Sequence, residues 1–203
     1  MSDDGRRQLD AVGKQLLKAA SELLASQGPA ALTVRRISAA AHVSTMSLYD
    51  RFGDKNGVVE ELFIEGFEGL TAATLGTSNR TGSRIGDVQL GMNEYRAWAL
   101  AHRTHYAVMF TPIFLDFKPS IAAITIAFES FDVLVRAVTR AIDSGELRAA
   151  KPFDVALSLW AATHGHVALE LSVGGSIGLN ADHFDQTISM MLQGLRSDQD
   201  APR

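Results

Sequence analysis

The stretch from Thr33 to Lys55, TVRRISAAAHVSTMSLYDRFGDK, leaves the chain little choice of local fold. Thr33 is a candidate N-cap, because its hydroxyl can accept from the open amides of a first helical turn. Val34, Ile37 and Ala41 then share one face of a short helix. His42-Val43-Ser44 interrupts that helix. Ser44 can cap a second one, in which Leu48 and Phe52 turn inward while Thr45, Met46, Ser47, Tyr49 and Asp50 face out. Gly53 ends it, and Asp54 can cap a third helix that starts at Lys55. Two short helices across a tight turn make a helix-turn-helix, whose second helix can enter a DNA major groove.

These residues resemble the TetR family of transcriptional repressors. The family's pattern is Thr, a hydrophobic residue, Ile-Ala, a small residue before the turn, Val-Ser, Leu-Tyr, an aromatic, and a Lys opening the next helix. Thr33, Ile37, Ala41, Val43, Ser44, Leu48, Tyr49, Phe52 and Lys55 fit it. Two residues depart from it. His42 stands where the family usually has a turn glycine at positive φ, which histidine tolerates with some strain. Asp50 replaces the usual aromatic or basic residue, which bears on the operator sequence rather than on the binding mode.

A net charge of −4 argues against a DNA binder until it is divided along the chain. Residues 1–57 carry eight Lys/Arg against six Asp/Glu, and the remainder carries 11 against 17. Phosphate binding needs a local basic surface, not a basic protein. Residues 1–8 read as a polar arm: Arg6 and Arg7 belong either to solvated tail or to a phosphate or minor-groove contact.

Chemistry divides the roles in the motif. The hydroxyls of Thr33, Ser44, Ser47 and Tyr49 and the Lys55 ammonium suit phosphates and fix register. Arg35 lies where the resemblance implies contact with a base edge or a phosphate. Base reading then falls to Thr45, Met46 and Asp50: Met46 suits a thymine methyl, and Asp50 can accept from a cytosine amino group. Asp50 can equally be a surface charge paired with a nearby arginine.

The rest of the chain reads as helix. Leu9, Val12, Leu16, Ala20, Leu23 and Leu24 form a helical stripe that Gly28-Pro29 stops, and this helix would support the motif. Domains are expected at 9–57, with a connector helix over 55–71, and at 72–203. Ala72–Gly86, rich in Gly, Ser, Thr and Asn, reads as a long loop and a movable joint. Residues 87–118 form a helical segment broken at Pro112. Ser120–Leu147 is the clearest helix, with Ile121, Ile124, Phe128, Phe131, Val135, Val138 and Ile142 in steps of three and four, closed by Gly145. Pro152–Val173 puts Phe153, Leu157, Trp160, His164, Val167 and Leu171 on one face. Gly174–Asn180 reads as a loop, and Asp182 as the cap of a last helix carrying Phe184, Ile188, Met191, Leu192 and Leu195. The fold class is all-α.

A second resemblance lies in Tyr95 and Trp98, His105-Tyr106, Met109-Phe110 and the Trp160…His164-Gly165 cluster, which look like the WHG-type regulatory domain of some TetR-like regulators. It implies a helical effector and dimerisation domain, with helices near 153–173 and 182–196 pairing with a second subunit in a four-helix bundle. Tyr95, Trp98, Met109, Phe110, Phe114, Phe117, Phe128, Phe131, Trp160 and His164 would surround an apolar effector cavity, or form plain core. His166 and Glu170 sit one helical turn apart, but spacing supplies no third metal ligand and turns His164 away. His102 and His105 fare no better, so neither metal nor cofactor is expected.

The chain has no cysteine, hence no disulfide framework. The charged start MSDDGRRQLD lacks a signal peptide's apolar run, and no apolar segment approaches the roughly 18 residues of a membrane span. A cytoplasmic location is expected. The expected function is a homodimeric repressor, released from a palindromic double-stranded operator by a small apolar or amphipathic ligand. The alternative is a helical carrier or enzyme with incidental likeness to the motif. Against an enzyme stand the missing phosphate loop, nucleophile elbow and HExxH motif.

Overall fold

The computed structural model describes residues 9–197; the arm with Arg6 and Arg7 lies outside them. Among the described residues the chain is all-α, with one isolated antiparallel bridge between Leu147 and Arg196. No described helix is long and apolar enough to cross a membrane. The chain forms two compact units. One runs to Gly66 and takes in Thr104–Ala123; the other holds Phe67–Arg103 and the chain from Ile124 on.

In the first unit, α1 (Ala11–Gln27) begins where the Asp10 carboxylate accepts from the Gly13 amide at 2.7 Å. It ends at Gly28, whose φ of +74° a side chain would resist. Leu16, Leu17, Ala20 and Leu24 are buried on its inner face. A single 3-10 turn, Pro29–Ala31, leads to α2 (Val34–Ala40) and α3 (Thr45–Phe52). These three helices pack on one another around Leu16, Ile37, Leu48 and Phe52. Next comes α4 (Lys55–Leu75), which belongs to this unit as far as Gly66 and whose Val58, Val59 and Leu62 are buried; α6 (Arg103–Phe110) joins the unit from Thr104.

The second unit is built on α5 (Arg84–Ala101), α8 (Pro152–Ser172) and α10 (Ala181–Leu195), which pack on one another. Between α5 and α8, Arg96 makes a two-pronged, largely buried contact with Glu170, Nε–Oε2 2.8 Å and Nη2–Oε1 2.5 Å. The Arg96 guanidinium also lies 5.7 Å from the centroid of the Phe184 ring on α10. Helix α7 (Ile121–Asp143) and the single-turn α9 (Gly174–Ile177) complete the set.

Several expectations need correction. The loop expected over Ala72–Gly86 shrinks to residues 76–83, because α4 continues to Leu75 and α5 starts at Arg84, capped by Ser83 on the Gly86 amide at 3.2 Å. The buried Asp87 carboxylate gathers the amides of Asn79, Arg80 and Thr81 at 2.7, 3.0 and 3.1 Å. The 87–118 segment breaks first at His102, between α5 and α6. Helix α7 stops at Asp143, short of Leu147, because the chain turns at Gly145 with φ +77°. The α7 stripe is also partly outward, with Ile121, Ile124 and Phe128 exposed.

On α8 the inward face is Val155, Ala156, Leu159, Thr163, His166 and Val167, not the stripe through Phe153 and Leu157, both of which are exposed. That helix is apolar on more than one side, so periodicity alone does not orient it. Gly174–Ile177 is helical rather than loop, and Asn180 rather than Asp182 caps α10, accepting from the amides of Asp182 and His183.

Candidate nucleic-acid interface and effector site

The helix-turn-helix is assembled by short-range chemistry. Thr33 Oγ1 accepts from the Arg36 amide at 3.3 Å, and Ser44 Oγ accepts from the Ser47 amide at 3.2 Å. Capping uses hydroxyl lone pairs, so each O–H can still donate to a phosphate. Between the helices His42 adopts φ +53°, the left-handed conformation expected where the pattern usually has glycine. Gly53, φ +74°, ends α3, and Asp54 Oδ1 accepts from the Gly57 amide at 3.0 Å to start α4.

This frame presents one face of α3. Leu48 and Phe52 are buried beneath it; Thr45, Asp50, Met46 (65 % exposed) and Tyr49 (50 %) lie on the surface, and Ser47 is half-buried. Arg35 is exposed on α2, and Thr33 and Ser44 lie exposed at the helix starts. The Lys55 ammonium stands 5.7 Å from the centroid of the Phe114 ring.

The expected effector residues divide between the units. Met109, Phe110 and Phe114 belong to the first. There Tyr106 and Phe110 pack with ring centroids 4.9 Å apart, and Met109 covers Gly66 so closely that a Cβ on the glycine would come within 2.6 Å of its sulfur. Phe117, also in the first unit, sets its edge on Phe63.

In the second unit Phe131 meets the edges of Phe153 and Trp160 at 5.6 and 6.0 Å, and Trp160 lies 5.4 Å from the His164 ring. The Tyr95 hydroxyl is 3.4 Å from His164 Nδ1. Burial pushes the His164 pKa down, so at neutral pH its imidazole is uncharged. Trp98 stacks on His102 over Gly69, while Phe128 is 65 % exposed on α7. His166 is buried and edges onto Phe184. Among the described residues no group of three or more His, Cys, Asp or Glu side chains is placed to hold a metal.

A sequence model of bacterial regulatory proteins of the tetR family matches residues 16–62. A model of the tetracyclin repressor-like C-terminal domain matches residues 88–195, more than half of the chain. The chain belongs to the TetR family. Like the family's other members it is a DNA-binding transcription regulator. No curated protein matches it.

Solved structures share this TetR fold. A protein of unknown function from Rhodococcus sp. RHA1 superposes with a TM-score of 0.79 at 23% identity, over 96% of this chain and 100% of its own. PfmR, a TetR family transcriptional regulator from Thermus thermophilus, gives 0.71 at 17%, over 90% and 99%. SmeT, solved as a complex with triclosan, gives 0.71 at 21%, over 94% of each chain.

One contact that holds the helix-turn-helix together is not legible in the sequence. Arg51 forks onto Asp10, Nε–Oδ1 2.8 Å and Nη2–Oδ2 2.5 Å, while its Nη1 donates to the Ser47 carbonyl at 3.0 Å. The carboxylate that caps α1 thereby also holds α3. The hydrogen bonds that Arg51 donates to Asp10, with the charges of Asp10 and Asp50 added, raise its pKa against the effect of burial. Asp50 thus acts on a neighbouring arginine while lying on the exposed face of α3. Arg36 similarly reaches Gln27 at the end of α1.

Proposed function

We propose that this chain is a homodimeric repressor that binds a palindromic operator through α3 and leaves it when a small apolar or amphipathic molecule enters the helical domain. The observation that carries the reading is the exposed face of α3, flanked by hydroxyls at two helix starts and by the Lys55 ammonium. Thr45, Met46 and Asp50, with Arg35 beside them, are the base readers. Thr33, Ser44, Ser47, Tyr49 and Lys55 hold phosphates.

A gel shift with DNA from around its own gene tests the function, and two sets of variants test the roles. Lys55→Ala and Tyr49→Phe should weaken binding about equally on all sequences, and the lysine change should flatten the salt slope by about one unit. Substitutions at Thr45 or Met46 should instead change the preferred base. A sequence-selective loss from Lys55→Ala contradicts the assignment.

The division into a DNA-binding part to about residue 57, a connector, and an effector and dimerisation part beyond it belongs to the same proposal. We assign the latter to the WHG type on Tyr95, Trp98, Trp160 and His164-Gly165. Dimerisation through α8 and α10 is supported by Phe153, Leu157 and Leu169 exposed on α8 and Met190 on α10. It is supported further by Gly165, where a Cβ would meet nothing within 4 Å inside the protomer. Gly165→Leu should therefore spare the protomer's melt but weaken the dimer at least tenfold, about 1.4 kcal/mol, in sedimentation. An unchanged dimer places the interface elsewhere.

For the effector, Phe131, Trp160, Tyr95 and a neutral His164 supply aromatic walls and one hydrogen-bonding pair without a formal charge. That chemistry suits an uncharged aromatic molecule bearing a hydroxyl or carbonyl. The complex of SmeT with triclosan is a precedent within the fold. Releasing DNA a hundredfold requires roughly 2.7 kcal/mol of preference for the released conformation, within the usual range of coupling between sites.

A further inference from the structure

We infer that Phe114 is a positioning residue for DNA binding, acting through Lys55. Phe114 lies within the match to the C-terminal family model, yet it packs in the DNA-binding unit with its ring 5.7 Å from the Lys55 ammonium. The segment that carries it is pinned along α4. The Met109 side chain covers Gly66, the Phe117 ring sets its edge on Phe63 with centroids 6.0 Å apart, and the Ser120 amide donates to Glu60 Oε2 at 3.2 Å. Phe114 is therefore a fixed platform beside a flexible lysine.

The lysine needs one. Lys55 is the first residue of α4, where the positive end of the helix dipole repels an ammonium. A long lysine stem free to rotate would spread the charge over many positions. The face of an aromatic ring attracts the ammonium, offsets the repulsion and narrows its positions. An ammonium has three N–H donors, so a ring on one side leaves others directed to solvent, where a phosphate oxygen can accept. Phe114 accordingly prepares the phosphate contact rather than competing for it.

The inference rests on the reading of Lys55 as a phosphate contact, and the experiment separates the two. Because phosphate contacts are indifferent to sequence, mixed-sequence duplex DNA serves as the probe. Binding and thermal melts are measured for the wild type, Lys55→Ala, Phe114→Leu, Phe114→Tyr and the double variant Lys55→Ala with Phe114→Leu. Phe114→Leu keeps apolar bulk but loses the ring face, and should weaken binding by about two- to fivefold. Phe114→Tyr restores the ring and should bind like the wild type. In the Lys55→Ala background Phe114→Leu should have no further effect, which a loss through general destabilisation would not reproduce. An equal loss with and without Lys55 overturns the inference, as does binding by Phe114→Leu as tight as wild type or tighter. Wild-type binding by Lys55→Ala overturns the lysine reading and this inference with it.

Discussion

Gly57→Ala should cripple the DNA-binding unit, although by helix propensity it is a gain. Glycine inside a helix ordinarily costs up to about 1 kcal/mol relative to alanine, so the exchange normally stabilises. Here a Cβ would lie 1.8 Å from the Phe52 carbonyl oxygen and 2.8 Å from its carbon. That neighbour is backbone, held between the end of α3 and the Asp54 cap of α4, and cannot swing aside as a side chain could. The cost should exceed the roughly 1–3 kcal/mol typical of overpacking. It falls where α3 joins the helix that carries Lys55, so DNA binding should fail with the fold of that unit. Gly175→Ala in α9 is the control: there a Cβ would meet nothing within 4 Å, and the exchange should leave the melt unchanged or raise it slightly. A Gly57→Ala protein that melts like the wild type and still shifts DNA would mean that the α3–α4 junction yields freely.

The second large effect concerns two carboxylates in the other unit, Asp87 buried and Glu146 half-buried. Asp87 accepts from the amides of Asn79, Arg80 and Thr81, and its Oδ1 lies 3.0 Å from the Thr81 hydroxyl. Glu146 accepts from the Ser83 hydroxyl at 2.6 Å and from the amides of Arg84 and Ile85 at 2.8 and 3.2 Å, closing the first turn of α5. Burial pushes the Asp87 pKa up, but its hydrogen bonds from Thr81, Asn79 and Arg80 outweigh burial and leave it below the ordinary value. For Glu146 the Ser83 hydrogen bond leads, and with the other donors it overcomes burial in the same direction.

Both groups bind protons more weakly folded than unfolded. Their contribution is thus complete above the unfolded values, near 4, and is lost as pH falls through the lower folded values. Asp87→Asn or Glu146→Gln turns an NH₂ toward amides that need an acceptor. Each should cost about 3 kcal/mol at neutral pH, or roughly 6–12 °C in melting temperature. Each should also flatten the fall of stability with acid below pH 4, measured by melts over a pH series. Variants that keep the wild-type acid slope would show that other carboxylates govern it.

Much of the DNA-binding unit was legible because its signals are local. An N-cap acts on an amide two or three residues on, a helix-ending glycine on the turn before it, and a buried pair such as Leu48 and Phe52 on one face of one helix. Thr33, Ser44, Gly53 and Asp54 therefore declared α2, α3 and the start of α4 from their spacing. The left-handed turn at His42 followed from the family resemblance, which puts a glycine there, and not from histidine itself.

The tertiary structure decided what depends on partners far along the chain. Arg51 looks like any surface arginine until Asp10, 41 residues earlier, is found in its fork. Ser83, Arg84 and Ile85 lie in or beside a stretch whose composition reads as loop, and the carboxylate that gathers them, Glu146, comes from more than 60 residues further on. Phe114 carries the signature of an effector-domain aromatic, yet packing puts it on Lys55. Helix α8 is apolar on more than one face, so its period announced a helix but not which side turns inward. Hydrogen bonding within a turn is dictated by residues that are neighbours in sequence. The direction of a face, and the partner of a charge, are set by whatever the folded chain brings alongside.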